Sequence, residues 1–375
     1  MLDNVVILDY NISNTRAYIC NIITHCFEGK MKVVKNKDVA SKAGVSVATV
    51  SRVMNQSGYV KDETRQSVLN AFAELANEDT ILGQSLMNKK ADIIGVIIPD
   101  ISNPFFGEVI KGISSISDKH STSLLVCNTD EQIEKELKYL DLFKTNNIKG
   151  LIITPKTDQV EYNSKYLYQL EVLGVPIVLL DRGINLSHFN SVFVNNVTGS
   201  YNAVNALISE GHQDIAIISG PMSSKPGRER FYGYENAFRV NDIKINEDYI
   251  FYGDFQLKSG YDITKRILKM EKKPTAIFAA NNMMAQGCVK ALIESGISIP
   301  QDMSFICFDD VDMFEIMNLN ISTVSRPTEH MGVVAAEMLF HLIENNQVRT
   351  SSIEEVVLET KLILRGSEKF VINRS

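Results

Sequence analysis

The sequence predicts a multidomain protein in which a small all-α head precedes a two-lobed α/β body. Three observations lead to this prediction. The chain has 375 residues, more than one ordinary domain contains. Residues 37–75 carry the apolar spacing of three short helices. From Ile93 onward, short apolar runs bounded by Gly, Pro, Asn or Asp alternate with amphipathic helical stretches, which is typical of an α/β fold.

The apolar runs of the body have the length and composition of buried strands. They are nearly all apolar, as expected when helices cover both faces of a parallel sheet. The runs are Ile93–Ile98, Ser123–Cys127, Gly150–Thr154, Pro176–Leu180, Ile215–Ser219, Thr275–Ala279 and Ser304–Phe308. The strand-helix units number about nine, more than one small sheet holds, so we expect two doubly wound lobes that divide near residues 190–195.

Composition restricts the class of protein. Apolar residues make up 45% of the chain and charged residues 22%, as in soluble globular proteins. No apolar run reaches the roughly 18 residues of a membrane span, and no secretory signal is evident. The five cysteines lack the paired spacing of metal ligands. We therefore expect a cytoplasmic protein with reduced thiols, without a metal, a cofactor or a membrane partner.

Charge is distributed unevenly along the chain. The formal net charge is -7, yet residues 31–90 contain nine Lys and Arg against six Asp and Glu, a net of +3. The remainder of the chain is therefore strongly acidic. A locally basic head on an acidic body favours sequence-specific DNA binding over bulk binding of phosphate.

Residues 37–55 have the pattern of a helix-turn-helix motif. Gly44 supplies the backbone freedom of the tight turn, and Ser46 is a suitable N-cap for the second helix. The side chains expected to pack inward are Val39, Ala40, Ala43, Val50 and Val53. Periodicity alone also fits an ordinary pair of surface helices.

The outward side of the second helix is the side that a recognition helix turns to the major groove. Arg52 is long enough to bind guanine O6 and N7 with two hydrogen bonds. Val47 and Ala48, near the helix start, can make apolar contact with thymine methyl groups.

This region resembles the head of the LacI/GalR family of bacterial repressors. The matching residues are Asp38-Val39-Ala40, Ala43-Gly44-Val45-Ser46, Ala48-Thr49-Val50-Ser51-Arg52-Val53, Asn55, Gly58-Tyr59-Val60 and Thr64-Arg65. The run from Ile94 to Phe106 matches the family's usual entry into the first lobe, and the resemblance extends from about Asn36 to about Leu364. It implies a DNA-binding transcription regulator, a repressor, with a periplasmic-binding-protein-like body.

The resemblance also implies DNA-binding roles by position. The base readers would be Val47, Ala48 and Arg52, and the supporting or backbone contacts would be Thr49, Ser51, Asn55 and Tyr59. Leu86 would be the hinge side chain that inserts into the minor groove at the operator centre and kinks the DNA.

The hinge departs from the family pattern. Asn77-Glu78-Asp79-Thr80 replaces the usual Tyr-x-Pro-Asn, and Gln84 replaces the usual arginine. The acidic side chains would lie near DNA phosphates and weaken binding. An alternative hypothesis is therefore a small-molecule-binding protein of the same body fold with weak or no operator binding.

Nine residues are candidates for binding a small-molecule effector between the lobes. A sugar needs apolar surface for its C–H faces and fixed polar groups for its hydroxyls, and open α/β sheets bind ligands at the carboxyl ends of their strands. The candidates are Asn103, Phe105, Phe106, Asp181, Arg182, Arg230, Asn281, Asp309 and Arg326. The resemblance supports Arg230, Asn281 and Asp309 as ligand positions, whereas Arg228 is expected to be a solvated surface charge.

Two positions near this site depart from the family. Asn282 follows Asn281 where the family usually has aspartate, and Arg326 precedes Pro327 where the family often has glutamine. Arg326 could pair with Asp309 or another carboxylate. It could instead join the other arginines in binding the phosphate or carboxylate of an anionic effector, so both a sugar and a sugar phosphate remain possible.

Enzyme chemistry is the competing class, and the sequence argues against it. It contains no Gly-rich phosphate loop with Lys-Ser/Thr, no nucleophile elbow and no His-rich metal motif. The paired carboxylates Asp309-Asp310 belong to the binding-lobe pattern.

We divide the chain into an N-terminal extension of unknown role, a helix-turn-helix domain, a hinge and an effector-binding and dimerisation domain. Their bounds are 1–30, 31–76, 77–92 and 93–375. The first lobe is expected at about 93–191 with 322–352, and the second at about 192–321 with 353–375. We expect a homodimer that binds a pseudo-palindromic double-stranded operator and couples its affinity to the effector.

Overall fold

The computed structural model describes most of the body and the core of the head. The described residues are 5–8, 36–54, 60, 61, 63–65, 67, 68, 71, 92–146, 148–159, 167–348 and 353–369. The predicted DNA contacts Asn55, Tyr59 and Leu86, the hinge up to residue 91, and Cys20 and Cys26 lie outside them.

Two helices and a tight turn form the helix-turn-helix of the head. They are α1 (Asn36–Ala43) and α2 (Val47–Met54). Gly44 lies between them with φ of +66°, a conformation that favours glycine. The backbone N–H of Thr49 donates to Ser46 Oγ at 3.1 Å, as expected of an N-cap. The buried apolar core of the head consists of Val39, Ala40, Val50, Val53, Val68 and Ala71.

Among the residues that the structure describes, seven parallel strands form the sheet of the first lobe. In chain order they are β1 (Val5–Leu8), β2 (Ile93–Ile98), β3 (Ser123–Asn128), β4 (Gly150–Ile153), β5 (Ile177–Leu180), β6 (Asn190–Val194) and β12 (Glu355–Leu358). Their spatial order is β1-β3-β2-β4-β5-β6-β12. The strand β1, in a segment whose sequence has no periodic pattern, pairs with β3 at the sheet edge.

Helices cover both faces of the first sheet. They are α3 (Pro104–Lys119), α4 (Ile133–Thr145) and α10 (Thr328–Glu344). The helices α3 and α10 approach each other closely at two glycines: a Cβ on Gly112 would lie 2.0 Å from the carbonyl oxygen of Glu329, and one on Gly332 would lie 2.0 Å from that of Val109. No other residue fits at these two positions without moving the backbone of the neighbouring helix.

In the described part of the chain, the second lobe is built on a sheet of six strands. Its strands are β7 (Ile215–Ser219), β8 (Ile250–Tyr252), β9 (Ala276–Ala279), β10 (Ser304–Phe308), β11 (Ser322–Ser325) and β13 (Lys361–Ile363). The order is β13-β11-β10-β9-β7-β8, and only β13 runs antiparallel to its neighbour within this sheet. The helices around it are α5 (Asn196–Ser209), α6 (Lys225–Val240), α7 (Leu257–Ile267), α8 (Asn282–Glu294) and α9 (Asp312–Ile316).

The predicted helical head and two-lobed α/β body are confirmed, but the predicted lobe boundaries are wrong in two places. The strand β6 ends the first part of the first sheet at Val194, within the predicted division near residues 190–195. The strand β11 lies in the second sheet, although 322–352 was assigned to the first lobe, and β12 lies in the first sheet, although 353–375 was assigned to the second. The apolar pattern did not predict β11, because several of its residues are polar. Ser322 and Thr323 are nevertheless fully buried, and the Ser322 hydroxyl is hydrogen-bonded to Glu368.

Candidate effector cleft and DNA-reading helix

The carboxyl ends of strands from both sheets meet at one cleft. It encloses about 410 Å³, its solvent-open part included. All nine predicted effector residues line it, namely Asn103, Phe105, Phe106, Asp181, Arg182, Arg230, Asn281, Asp309 and Arg326. Five further lining residues were not predicted, namely Asp100, Glu131, Pro226, Phe255 and Gln256.

Sharp turns at two strand ends present the central carboxylates. Asp181 directly follows β5 in the first lobe, and Asp309 directly follows β10 in the second. Their φ angles are +60° and +72°, in the left-handed region that most side chains avoid. Such backbone conformations occur often at ligand sites, where the surrounding structure maintains them.

Arg326 binds both of these carboxylates. Its Nη2 donates to Asp309 Oδ2 at 2.7 Å, its Nε donates to Asp309 Oδ1, and its Nη1 donates to Asp181 Oδ1 at 2.6 Å. The guanidinium also stacks 3.8 Å above the centre of the Phe105 ring. Burial opposes the charge of Arg326, but the two carboxylates raise its pKa above the ordinary value. Of the two interpretations of Arg326, pairing with a carboxylate is therefore the one that the geometry supports.

Arg182 is also paired. Its Nη1 and Nη2 donate to Glu131 Oε2 and Oε1 at 3.0 and 2.6 Å, and Lys156 Nζ lies 3.0 Å from the same carboxylate. Burial by itself would raise the pKa of Glu131, but Arg182 and Lys156 hold it below its usual range. The charge of Arg182 is thus compensated within the first lobe.

Arg230 is the cleft arginine without an ion pair among the described residues. It is 2% exposed, and its Nε donates to Asn196 Oδ1 at 2.9 Å while its Nη1 donates to the Ala280 carbonyl at 2.6 Å. Its guanidinium stacks 3.8 Å above the centre of the Phe308 ring. Burial, and secondarily the charge of Arg326, lowers its pKa to about 10, so it remains charged at neutral pH. It is well placed to donate to a ligand oxygen.

The two amides that line the cleft are partly engaged in structural hydrogen bonds. Asn103 Oδ1 caps α3 by accepting from the Phe105 N–H at 3.0 Å, and it also accepts from Asn282 Nδ2 at 2.8 Å. Asn281 Oδ1 caps α8 by accepting from the Met284 N–H at 3.0 Å, and its Nδ2 donates to the Phe255 carbonyl at 3.0 Å. An amide group carries two donors, so each still has an N–H to offer to a ligand.

Arg228 differs from the expectation. It was expected to be solvated, but its Nη2 lies 2.5 Å from Asp158 Oδ2, and its Nη1 donates to the Met222 carbonyl at 3.0 Å. Asp158 is 5% exposed and follows β4 in the first lobe, whereas Arg228 lies on α6 of the second. The ion pair therefore bridges the lobes.

Two of the residues that line the cleft but were not predicted could have been identified from their positions in the sequence. Asp100 and Glu131 follow the predicted strands β2 and β3, so the same strand-end argument could have found them. Phe255 and Gln256 come after β8, a strand of three residues that is too short for a pattern.

The helix α2, which is the predicted recognition helix, has an exposed outer side. Val47 is 48% exposed, Ala48 and Arg52 are also exposed, and Thr49 and Ser51 are half-buried. Arg52 forms no ion pair with any residue that the structure describes. The predicted base readers are thus the most accessible of the five predicted contacts on α2.

A helix-turn-helix head and two α/β lobes around a polar cleft define a class of protein: DNA-binding regulators that respond to a small molecule. Residues 36–77 match the description "Bacterial regulatory proteins, lacI family", and residues 204–368 match "Periplasmic binding protein-like domain".

Curated relatives and solved structures agree with this class. The transcriptional regulator RegA of Clostridium saccharobutylicum is 34% identical over 88% of this chain and 98% of its own length, and the ribose operon repressor of Halalkalibacterium halodurans is 33% identical over 89% and 96%. A LacI family regulator from Enterococcus faecium, solved with bound ribose, has a TM-score of 0.64 and 30% identity over 73% of this chain and 98% of its own.

The chain therefore belongs to the lacI family of bacterial regulatory proteins. It is a DNA-binding transcription regulator and not an enzyme. Among the described residues, no helix is long and apolar enough to cross a membrane, and no three side chains are grouped as metal ligands.

Proposed function

We propose that the protein is a repressor whose operator affinity is controlled by an uncharged monosaccharide bound in the cleft between the lobes. The observation that carries this proposal is the internal pairing of the cleft's charges. Asp309 and Asp181 compensate Arg326, and Glu131 compensates Arg182. A phosphate would have to compete with carboxylates that are already in place.

The overall charge of the cleft also favours an uncharged ligand. Its lining includes four carboxylates, those of Asp100, Glu131, Asp181 and Asp309, and three guanidiniums. An anionic ligand would enter a site without excess positive charge, which is unfavourable in a partly buried environment. Hydroxyl groups, by contrast, can donate to the carboxylates and accept from the guanidiniums without adding charge.

The aromatic lining of the cleft and the relatives support a small sugar. Phe105 and Phe106 line the cleft, and their side chains can contact the C–H face of a sugar. One relative is named for a ribose operon, and one similar structure contains ribose, so a pentose is the first candidate.

DNA binding in this proposal uses α2 of each protomer in a cytoplasmic homodimer. Val47, Ala48 and Arg52 read bases, and Thr49 and Ser51 support them. Asn55, Tyr59 and the hinge residue Leu86 complete the set. A two-fold symmetric dimer binds a pseudo-palindromic operator, one half-site per head.

The test begins by selecting an operator from random DNA with the full-length protein. The affinity for that operator is then measured at fixed salt, alone and with pentoses, hexoses and their phosphates. We expect a neutral monosaccharide to change operator affinity and its phosphate to have no effect. Arg230→Ala should shift the response to effector concentrations that are roughly ten- to a hundredfold higher. Arg239→Ala, an exposed change on the same helix α6, should leave the response unchanged.

Two results would overturn parts of the proposal. A response to a sugar phosphate alone would mean that the arginines exchange their partners for an anion. Failure of the selection to enrich any DNA would favour the alternative hypothesis, a small-molecule-binding protein with an ineffective hinge.

A further inference from the structure

Glu131 is a cleft residue that the sequence did not predict, and two unusual backbone conformations place it there. It follows β3 in a turn where both Asp130 and Glu131 have positive φ angles, of +50° and +56°. The backbone N–H of Glu131 donates to the Pro99 carbonyl at 2.9 Å, which connects the turn to the end of β2. Left-handed conformations at two consecutive residues other than glycine are unfavourable, and such conformations are concentrated at ligand sites.

We propose that Glu131 is a specificity-determining residue of the effector site: its carboxylate occupies the guanidinium of Arg182 and thereby excludes phosphate and carboxylate ligands, while hydroxyl groups are accepted. This inference rests on the proposed function and deepens it, because it assigns the preference for an uncharged ligand to one side chain. A single substitution at Glu131 should therefore convert the cleft into a site for an anion.

Glu131 binds Arg182 in the geometry that an anionic ligand would use. Both terminal nitrogens of Arg182 donate to it, Nη1 to Oε2 at 3.0 Å and Nη2 to Oε1 at 2.6 Å. Phosphate and carboxylate groups bind a guanidinium through the same pair of parallel hydrogen bonds. An anionic ligand would therefore have to displace Glu131. A neutral hydroxyl can instead donate to a remaining lone pair of Glu131 and leave the ion pair intact.

The charges around Glu131 are such that its loss would leave cations without their partner at the cleft. Lys156 Nζ lies 3.0 Å from Oε2 of the same carboxylate, so Glu131 faces two cations. Burial disfavours the charged carboxylate, but Arg182 and Lys156 keep the pKa of Glu131 below its usual range. Glu136 is fully buried outside the lining of the cleft, and it accepts from the Lys156 backbone N–H at 2.8 Å. It therefore cannot take the place of Glu131 beside a ligand.

The charge of Arg326 is balanced differently. Arg326 binds the carboxylates of both Asp181 and Asp309, so two negative charges face one positive charge. Loss of the Asp181 charge would still leave one carboxylate for this guanidinium. Of the two ion-paired arginines of the cleft, Arg182 is therefore the one that a single substitution makes available to an anion.

The first experiment uses inorganic phosphate as the probe, so it does not require the natural effector. Binding of phosphate to the full-length protein is measured by titration calorimetry in the wild type, Glu131→Gln and Glu134→Gln. Glu131→Gln removes the charge with almost no change in shape. Glu134→Gln makes the same chemical change at an exposed position of α4, outside the lining of the cleft.

We expect Glu131→Gln to bind phosphate at least about tenfold more tightly than the wild type, because a competing charge has been removed. Glu134→Gln should bind phosphate no more tightly than the wild type. Adding Arg182→Gln to Glu131→Gln should remove the gain, which would locate the phosphate at this guanidinium. Equal phosphate affinities in the wild type and Glu131→Gln, or a gain that survives Arg182→Gln, would overturn the inference.

A second comparison separates Glu131 from the other carboxylates of the cleft. Asp181→Asn should gain no comparable affinity for phosphate, because Arg326 keeps Asp309. An equal gain in Asp181→Asn and Glu131→Gln would show a general effect of cleft charge and would contradict the role of Glu131.

Instability of Glu131→Gln would itself be informative. If this variant does not fold in buffer without phosphate, its thermal unfolding is followed with increasing phosphate at constant ionic strength. Phosphate should stabilise the variant more than the wild type, because a ligand that binds the folded state shifts the unfolding equilibrium. Stability that does not depend on phosphate would overturn the inference.

The proposed function and the role of Glu131 can fail separately. If no neutral sugar changes operator affinity while Glu131→Gln still gains phosphate binding, the proposed function fails and the exclusion of anions by Glu131 stands. If a neutral sugar acts but Glu131→Gln gains no affinity for phosphate, the proposed function stands and the inference about Glu131 is wrong.

Discussion

Arg52 on the recognition helix and Arg326 in the cleft show how differently one side chain can be used in the two parts of this protein. Arg52 is exposed and forms no ion pair with a described residue, whereas Arg326 is buried and binds two carboxylates. The guanidinium of Arg52 is therefore accessible to a partner outside the molecule. The body satisfies most of its own charges, so a ligand must fit into a network that already exists. The exposed side of the recognition helix and the charge-paired cleft should therefore respond to mutation in different ways.

The largest difference between operator binding by the head and effector binding by the body should come from a mutation in the core of the head. Val50 is fully buried among few apolar side chains, so Val50→Asp places an unpaired carboxylate in a core too small to compensate it. We expect complete loss of operator binding, with the thermal shift caused by the effector retained. Val47→Asp, on the exposed side of the same helix, should leave the head protected from hydrogen exchange. Loss of effector binding in Val50→Asp would contradict the independence of the two parts.

The next effect is expected in the cleft. Arg230→Ala and Asp309→Ala each remove a charged partner from a buried site, which typically costs about 1.5–3 kcal/mol, roughly ten- to a hundredfold in effector affinity. Operator binding should persist in each variant, because neither residue lies in the head. Calorimetry with the effector and DNA titration measure the two properties separately. A response that survives both changes together would place the ligand elsewhere.

A more local effect is expected on the recognition helix. Arg52→Ala should cost roughly 1–3 kcal/mol on the selected operator and relax the preference at one base pair of each half-site. Lys37→Ala, as a control, should weaken binding to all sequences about equally and lower its salt dependence. Competition with single-base operator variants makes the measurement. Equal losses on operator and random DNA would exclude base reading by Arg52.

The smallest effect should follow deletion of residues 1–30. The strand β1 pairs with β3 in the first lobe, and the recognition helix belongs to a separate core. We expect operator affinity at fixed salt to change less than tenfold. A larger loss would assign the extension a part in DNA binding.

The sequence was informative wherever position along a strand determines where a side chain lies. Asp181, Asn281 and Asp309 could be predicted because parallel strands bring their carboxyl ends to one edge. The pairing partners were harder to predict. Whether Arg326 binds Asp309, a second carboxylate or a ligand depends on distances between separate loops, which spacing along the chain does not contain.

The lobe boundaries illustrate a second limit of prediction from the sequence. The strand β11 has a polar sequence, and its burial depends on hydrogen bonds to residues beyond residue 360, such as the Ser322 hydroxyl to Glu368. An apolar pattern cannot identify such a strand. Arg228 was misinterpreted for a related reason, because its partner Asp158 lies in the other lobe.

The glycine contact between α3 and α10 has a mechanical consequence. Gly112 and Gly332 let the two helices touch backbone to backbone, and Arg326 stands two residues before α10 begins. Arg326 therefore lies between β11 of the second sheet and α10 of the first lobe, and its side chain holds both Asp309 of the second sheet and Asp181 of the first. When the lobes rotate, Asp309 moves together with Arg326, because the strands β10 and β11 that precede them are paired. The reach of one arginine thus limits how far the lobes can swing before the bond to Asp181 must break.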